Sequence, residues 1–110
     1  MTRRIRYHPL FDCDVRDAEG WYEQRSEGLG REFVEKVRER VNQVIAEPER
    51  FGTLSPGCRY VRLAKFPYVL LFQLLHDDLV FLGVLHTARS PEKWRERQQD
   101  RPRGSLNPGN

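Results

Sequence analysis

The stretch that most limits what this chain can become is a pair of apolar runs set back to back. "YVLLFQLLH" (68–76) and "LVFLGVLH" (79–86) are hydrophobic at nearly every position, with only Asp77 and Asp78 between them. Runs of this length joined by two turn-forming aspartates predict two adjacent antiparallel strands. Side chains along a strand alternate between faces, so Tyr68, Leu70, Phe72 and Leu74 point one way and Val69, Leu71 and Leu75 the other. Any sheet built on this hairpin is therefore apolar on both faces, and each face needs a cover.

The first half of the chain supplies one cover. Phe11, Val15, Ala18 and Tyr22 recur at helical spacing, predicting a helix from about residue 11 to 25. Ser26 to Gly30 interrupts it. Leu29, Phe33, Val37, Val41, Val44 and Ile45 then form the apolar stripe of a longer helix that Pro48 ends. Two amphipathic helices joined by a Gly-containing turn make a hairpin with one apolar side, enough for one face of the sheet. The second face is left for the short C-terminal helix, for a copy of the chain, or for a partner, because an exposed apolar patch on a small domain marks an interface.

Shorter elements complete the outline. "RIRYH" (4–8) alternates Ile5 and Tyr7 with basic residues and predicts a strand stopped by Pro9. "CRYVRLA" sets Val61 and Leu63 against Tyr60 and Arg62, as a half-exposed strand does, so that the second, third and fourth strands in this reading form a meander. Ser90 and Pro91 suit the N-cap and first position of a last helix, with Glu92 in its first turn. At 110 residues and 38% hydrophobic content the chain fits one domain with a modest core, taken as residues 1–98. Residues 99–110, ending "RPRGSLNPGN", offer nothing to pack and are expected to be a disordered tail.

Charge adds a mild constraint. There are 19 basic and 16 acidic residues, a net charge of +3, so a histone-like polycation is excluded. All the basic residues except Lys36, Lys65 and Lys93 are arginine, whose planar fork suits phosphate and carboxylate. A G+C-rich coding sequence produces the same bias. Cys13 and Cys58 are expected to be reduced and mostly buried. "MTRRIRYHP" has no apolar run behind it, and no segment reaches the roughly 18 apolar residues of a membrane helix, so the expected place is the cytoplasm, away from membranes.

No nucleotide-binding loop, zinc motif or nucleophilic triad is present, and neither metal nor cofactor is expected. Asp12 with Asp14, and His76 with Asp77 and Asp78, are explained by a helix start and a hairpin turn. The chemistry concentrates instead in "VLHTARSPEKWRER" (84–97), where His86, Arg89, Trp94, Arg95 and Arg97 follow the last strand. Arg89 is placed either to pair with Glu19 or Glu23 or to face a target. Trp94 is read as an anchor for the last helix, ahead of a stacking platform for bases. Arg95, Arg97, Arg101 and Arg103 form a basic run that serves an acidic partner or remains solvated.

Taken in order, "WYEQRSEGLGREFVEKV", "PERFG", "RYVRLAKFPYVLLFQL" and "VLHTARSPEKWRER" resemble the RelE/ParE family of toxins from type II toxin–antitoxin modules, from about Tyr7 to Arg97. The resemblance implies an α+β fold in which an N-terminal strand and helical hairpin pack on an antiparallel β-sheet with a short C-terminal helix. It also implies a cognate antitoxin that shares the opposite side of the sheet with the target, which would account for the second apolar face. Antitoxin contacts are expected at Tyr60, Arg62, Val69 and Leu71.

Two activities divide this family. RelE-like members cut messenger RNA on the ribosome, a reaction that needs a base, an acid and cations for the developing phosphorane charge. Candidates for those roles here are Arg59, Arg62, Lys65, His86 and Arg89. The start of the strand after "KFPY" reads Val69 and Leu70, however, where a RelE-like enzyme typically carries arginine. ParE-like members, known as plasmid stabilisation proteins, instead bind DNA gyrase and trap it with cleaved DNA. The "FPY" turn and the "H-x-x-R-x-P-x-x-W" ending resemble that branch, with Arg62, Arg89, Trp94, Arg95 and Arg97 as target contacts. A growth-inhibiting gyrase binder is the leading expectation, a ribosome-dependent endoribonuclease the second, and an antitoxin-binding module without toxicity the third. A homodimer of the free protein is a further expectation.

Overall fold

The computed structural model describes residues 3–88 and 91–99. The expectations for Arg89, Ser90, Arg101, Arg103 and the tail beyond residue 99 fall outside those residues. In chain order the elements are β1 (Arg4–Tyr7), α1 (Phe11–Arg25), α2 (Leu29–Ala46), a single 3₁₀ turn (Pro48–Arg50), β2 (Gly52–Ser55), β3 (Cys58–Arg62), β4 (Tyr68–Leu74), β5 (Asp78–His86) and α3 (Pro91–Gln99).

The strands form one sheet in the order β1-β5-β4-β3-β2. The β2–β5 segment is antiparallel throughout, while β1 joins the outer side of β5 in parallel, pairing Arg4 with Asp78 and Tyr7 with Phe81. The expected meander of three strands is thus one strand short. Gly52–Ser55 pairs with β3 ahead of it, and "GTLS" carries too little apolar alternation to announce a strand; its ladder to β3 is what makes it one.

The helical hairpin forms as its stripes require. Phe11 and Ala18 of α1, and Phe33, Val37, Val41 and Val44 of α2, are buried together against Leu70, Phe72, Leu79, Phe81 and Val84 of the sheet. At its far end a set of rings closes the core: Tyr22, Phe33, Phe66 and Tyr68 have centroids 4.8–6.1 Å apart, mostly edge to face. Each such side chain removed from water contributes roughly 1.5–3 kcal/mol. "FPY" is accordingly a core plug, delivering Phe66 and Tyr68 to the tip of the hairpin.

The turn between the helices is held by one carboxylate. Gly28 adopts φ 86°, a left-handed conformation that other residues enter only with strain, and it provides no side chain to cap α2. Glu23, from the last turns of α1, accepts the amides of both Gly28 and Gly30 instead. Those two backbone hydrogen bonds lower the Glu23 pKa below its ordinary value.

Candidate functional site

The second face of the sheet is the region where partner and target contacts were expected, and it is not open. Cys58, Val69, Leu71, Val80, Leu82 and Leu85 form a second apolar cluster, with Tyr60, Leu75 and Trp94 packed against it. Val69 and Leu71 are 2% and 0% exposed. Of the covers expected for this face, the short C-terminal helix is the one observed, and Val69 and Leu71, expected as antitoxin contacts, are buried beneath it. The last helix, α3, sets Trp94 on this cluster, and the indole N–H donates to the His86 carbonyl at 3.1 Å. Trp94 is an anchor for α3. Cys58 is buried here as expected, whereas Cys13 is exposed on α1; both are free thiols.

Arg97 also departs from expectation. It was expected to be a target contact within a basic run that either serves an acidic partner or remains solvated, yet it is 8% exposed. Its guanidinium forms a two-pronged pair with Asp14 of α1, at 2.5 and 3.1 Å, and donates to the Leu82 carbonyl at 3.0 Å. Asp14 in turn accepts the Val84 amide at 3.0 Å.

The sheet explains why an ion pair belongs there. Between Leu71↔Gly83 and Phe72↔Phe81 the β4–β5 register slips, so Leu82 is an extra residue in β5. β1 has ended at Tyr7, leaving the edge of β5 beyond Phe81 without a strand. A parallel neighbour would donate an N–H to the Leu82 carbonyl and accept the Val84 amide. Arg97 donates and Asp14 accepts in its place, so the pair acts as a substitute strand. Gly83 makes room, because a Cβ there would overlap Arg97 Nη1 and Asp14 Oδ2. The sequence offered one hint of this arrangement, a glycine inside an otherwise apolar strand.

The described ribonuclease candidates do not all share one side of the sheet. Tyr60 packs against the cluster under α3, and Arg62, two residues on, shares its side of β3 and is exposed. Arg59 and Val61 lie on the helical side, and the Arg59 guanidinium donates to the carbonyls of Phe51 and Glu49. His86 lies edge to face with Tyr68, 5.1 Å between centroids, also on the helical side. Lys65 occupies the β3–β4 turn with φ 75° and forms a 2.5 Å ion pair with Glu32 of α2. Arg62 thus stands apart from the other three described candidates, and Arg59 and Lys65 are already engaged.

A half-enclosed cleft of about 240 Å³ runs between α1 and the end of β5, lined by Asp14, Asp17, Trp21, Tyr68, His86 and Lys93 among others. It juxtaposes both signs of charge with two aromatic rings, and Arg25 lies 3.4 Å over the Trp21 ring. Among the described residues no group of three His, Cys, Asp or Glu is arranged to hold a metal ion, and no helix is long and apolar enough to cross a membrane.

Comparison with known proteins agrees with this geometry. Residues 5–91 match the sequence model of a family described as "ParE toxin of type II toxin-antitoxin system, parDE". No curated protein matches the sequence. Among solved structures, the fold is similar to one described as the chromosomal ParDE toxin–antitoxin system of P. aeruginosa, with a TM-score of 0.66 at 14% identity, covering 77% of this chain and 96% of that one. It is also similar to the isolated RelE toxin of E. coli, with a TM-score of 0.58 at 16% identity over 89% and 98% of the two chains.

Proposed function

This chain belongs to the ParE toxin family of type II toxin–antitoxin systems, and from that premise we propose that it acts by binding DNA gyrase, with a cognate antitoxin as its neutralising partner. The observation that carries this reading is the dispersal of the groups an RNA-cleaving site would need. A 2′-hydroxyl attack requires base, acid and cation within hydrogen-bond reach of one phosphate. Arg62 projects from one side of the sheet, while His86 and Arg59 belong to the other and Lys65 is paired with Glu32. Val69 and Leu70, at the start of β4, place buried aliphatic side chains where a cation would serve that chemistry.

A toxin that works by binding needs a surface rather than a constellation. Arg62 and Arg95 are exposed, and Arg95 is carried by the helix that lies over the second apolar cluster. These two are the target contacts we favour, whereas Arg97 and Trp94 hold α3 in place and act through it.

The test is supercoiling by purified gyrase with the protein titrated in, alongside an Arg62→Ala/Arg95→Ala variant. Inhibition with accumulation of cleaved DNA, weakened in the double variant, is the expected result. Intact supercoiling together with cut message in a ribosome assay would move the chain to the ribonuclease reading. A folded protein that binds its antitoxin and affects neither would identify a module without toxicity.

A further inference from the structure

The sheet has three stretches of edge, and they are not equally protected. β1 and β2 are each four residues long, but the register of β2 to β3 slips between Thr53 and Ser55, which spoils β2 as a template. The end of β5 is occupied by the Asp14–Arg97 pair. β1 is regular and, among the described residues, pairs on one side only.

The hydrogen bonds define which groups β1 presents outward. The amides of Arg4 and His8 donate inward, to Asp77 and Phe81. Alternation then directs the N–H and C=O groups of Ile5 and Tyr7 away from the sheet. The side chains around this edge are sorted by face. Ile5, Tyr7 and Leu10 are 38%, 49% and 45% exposed, half of the large apolar residues exposed among the described residues. Tyr7 stacks on Phe81, so Ile5 and Tyr7 lie on the helical side. Arg4 and Arg6 lie on the other side, sharing the single carboxylate of Asp78 at 2.9 and 3.9 Å. That face of the edge keeps a positive excess.

We propose that the outer edge of β1 is a docking site for an extended segment of another polypeptide in which apolar residues alternate with acidic ones. Its backbone pairs with Ile5 and Tyr7, its apolar side chains meet Ile5, Tyr7 and Leu10, and its carboxylates meet Arg4 and Arg6. A second copy of this chain fits less well: a two-fold antiparallel pairing of β1 with itself centred on Arg6 would place Arg6 against Arg6, and like charges directly opposite are destabilising. The inference is independent of whether gyrase or the ribosome is the target, since it concerns the partner's backbone and charge pattern.

Amide hydrogen exchange read by NMR tests it, using a synthetic peptide of alternating glutamate and valine about eight residues long. The peptide should slow exchange at Ile5 and Tyr7 and leave Thr53 unchanged. A peptide with lysine in place of glutamate should bind at least about fivefold more weakly, the loss of roughly one charge-assisted contact. Ile5→Pro removes an outward amide without touching the ladder to β5, so it should retain the fold by circular dichroism and lose the peptide; Ile5→Thr, which keeps the amide, should retain binding. Four results would overturn the proposal: no binding, protection at β2 instead of β1, equal binding of the lysine peptide, or concentration-dependent protection of Ile5 and Tyr7 without any peptide, which would assign the edge to a second copy.

Discussion

The two faces of the sheet are closed by different means. On the helical side, the rings of Phe11, Tyr22 and Phe33 and a row of branched aliphatics come from two long helices, and the cover is apolar across its width. On the other side the sheet contributes mainly aliphatic residues, with Cys58 and Tyr60 of β3, while α3 brings one large apolar residue, Trp94, and one buried cation, Arg97. The first face is held by area removed from water, which is non-directional and additive over many contacts. The second also depends on a few directional bonds, each aimed at a named backbone group. A fold built this way spreads the stability of one side over many contacts and concentrates that of the other on a few atoms.

The comparison can be broken most severely from the robust side. Phe33→Ala removes a fully buried ring that touches Tyr22, Phe66 and Tyr68, and should cost about 3–5 kcal/mol in chemical denaturation, with the whole domain losing structure together. On the other side, Arg97→Ala leaves Asp14 without its cation and the Leu82 carbonyl without its donor, for a loss of about 3 kcal/mol. The character of that loss should differ: α3 should detach first, visible as a change in Trp94 fluorescence in a Trp21→Phe background, while the helical side stays folded. Equal loss of both faces in Arg97→Ala would erase the distinction. Gly83→Ala should act in the same direction, since its methyl competes with the pair for space.

Smaller effects sharpen the picture of the helical hairpin. Gly28→Ala forces a side chain into a left-handed conformation and should cost about 1–2 kcal/mol, measured as a shift in denaturation midpoint. Smallest is the contribution of Glu23. Its folded pKa lies below the ordinary 4.5, so its stabilisation is present above that value and is lost as pH falls through the lower folded one. Glu23→Gln should flatten the acid limb of the stability profile, and an NMR titration of Glu23 should report the depressed midpoint directly.

These contrasts also separate what was legible in the residues from what was not. The helical stripes, the aspartate turn and the apolar strands were readable because their periodicity is local: Phe33 and Val37 share a face whatever they pack against. The family resemblance followed from the order of those same elements. The candidate site was less legible. Val69 and Leu71 were read as antitoxin contacts, and Arg97 as a target contact, because a strand's pattern identifies an apolar face without saying what covers it; the structure buries all three.

Sequence alone determined the helices and every strand but β2, the α+β class and the presence of two apolar faces, since each depends on residues a few positions apart. Only the tertiary structure decided that β1 would pair in parallel with β5, that β5 would bulge at Leu82, and that Asp14 and Arg97 would meet beside it. Those last two residues are 83 positions apart, and their attraction has no signature in either one's neighbours. A charge becomes structural only when folding removes its water and places a particular backbone group within its reach.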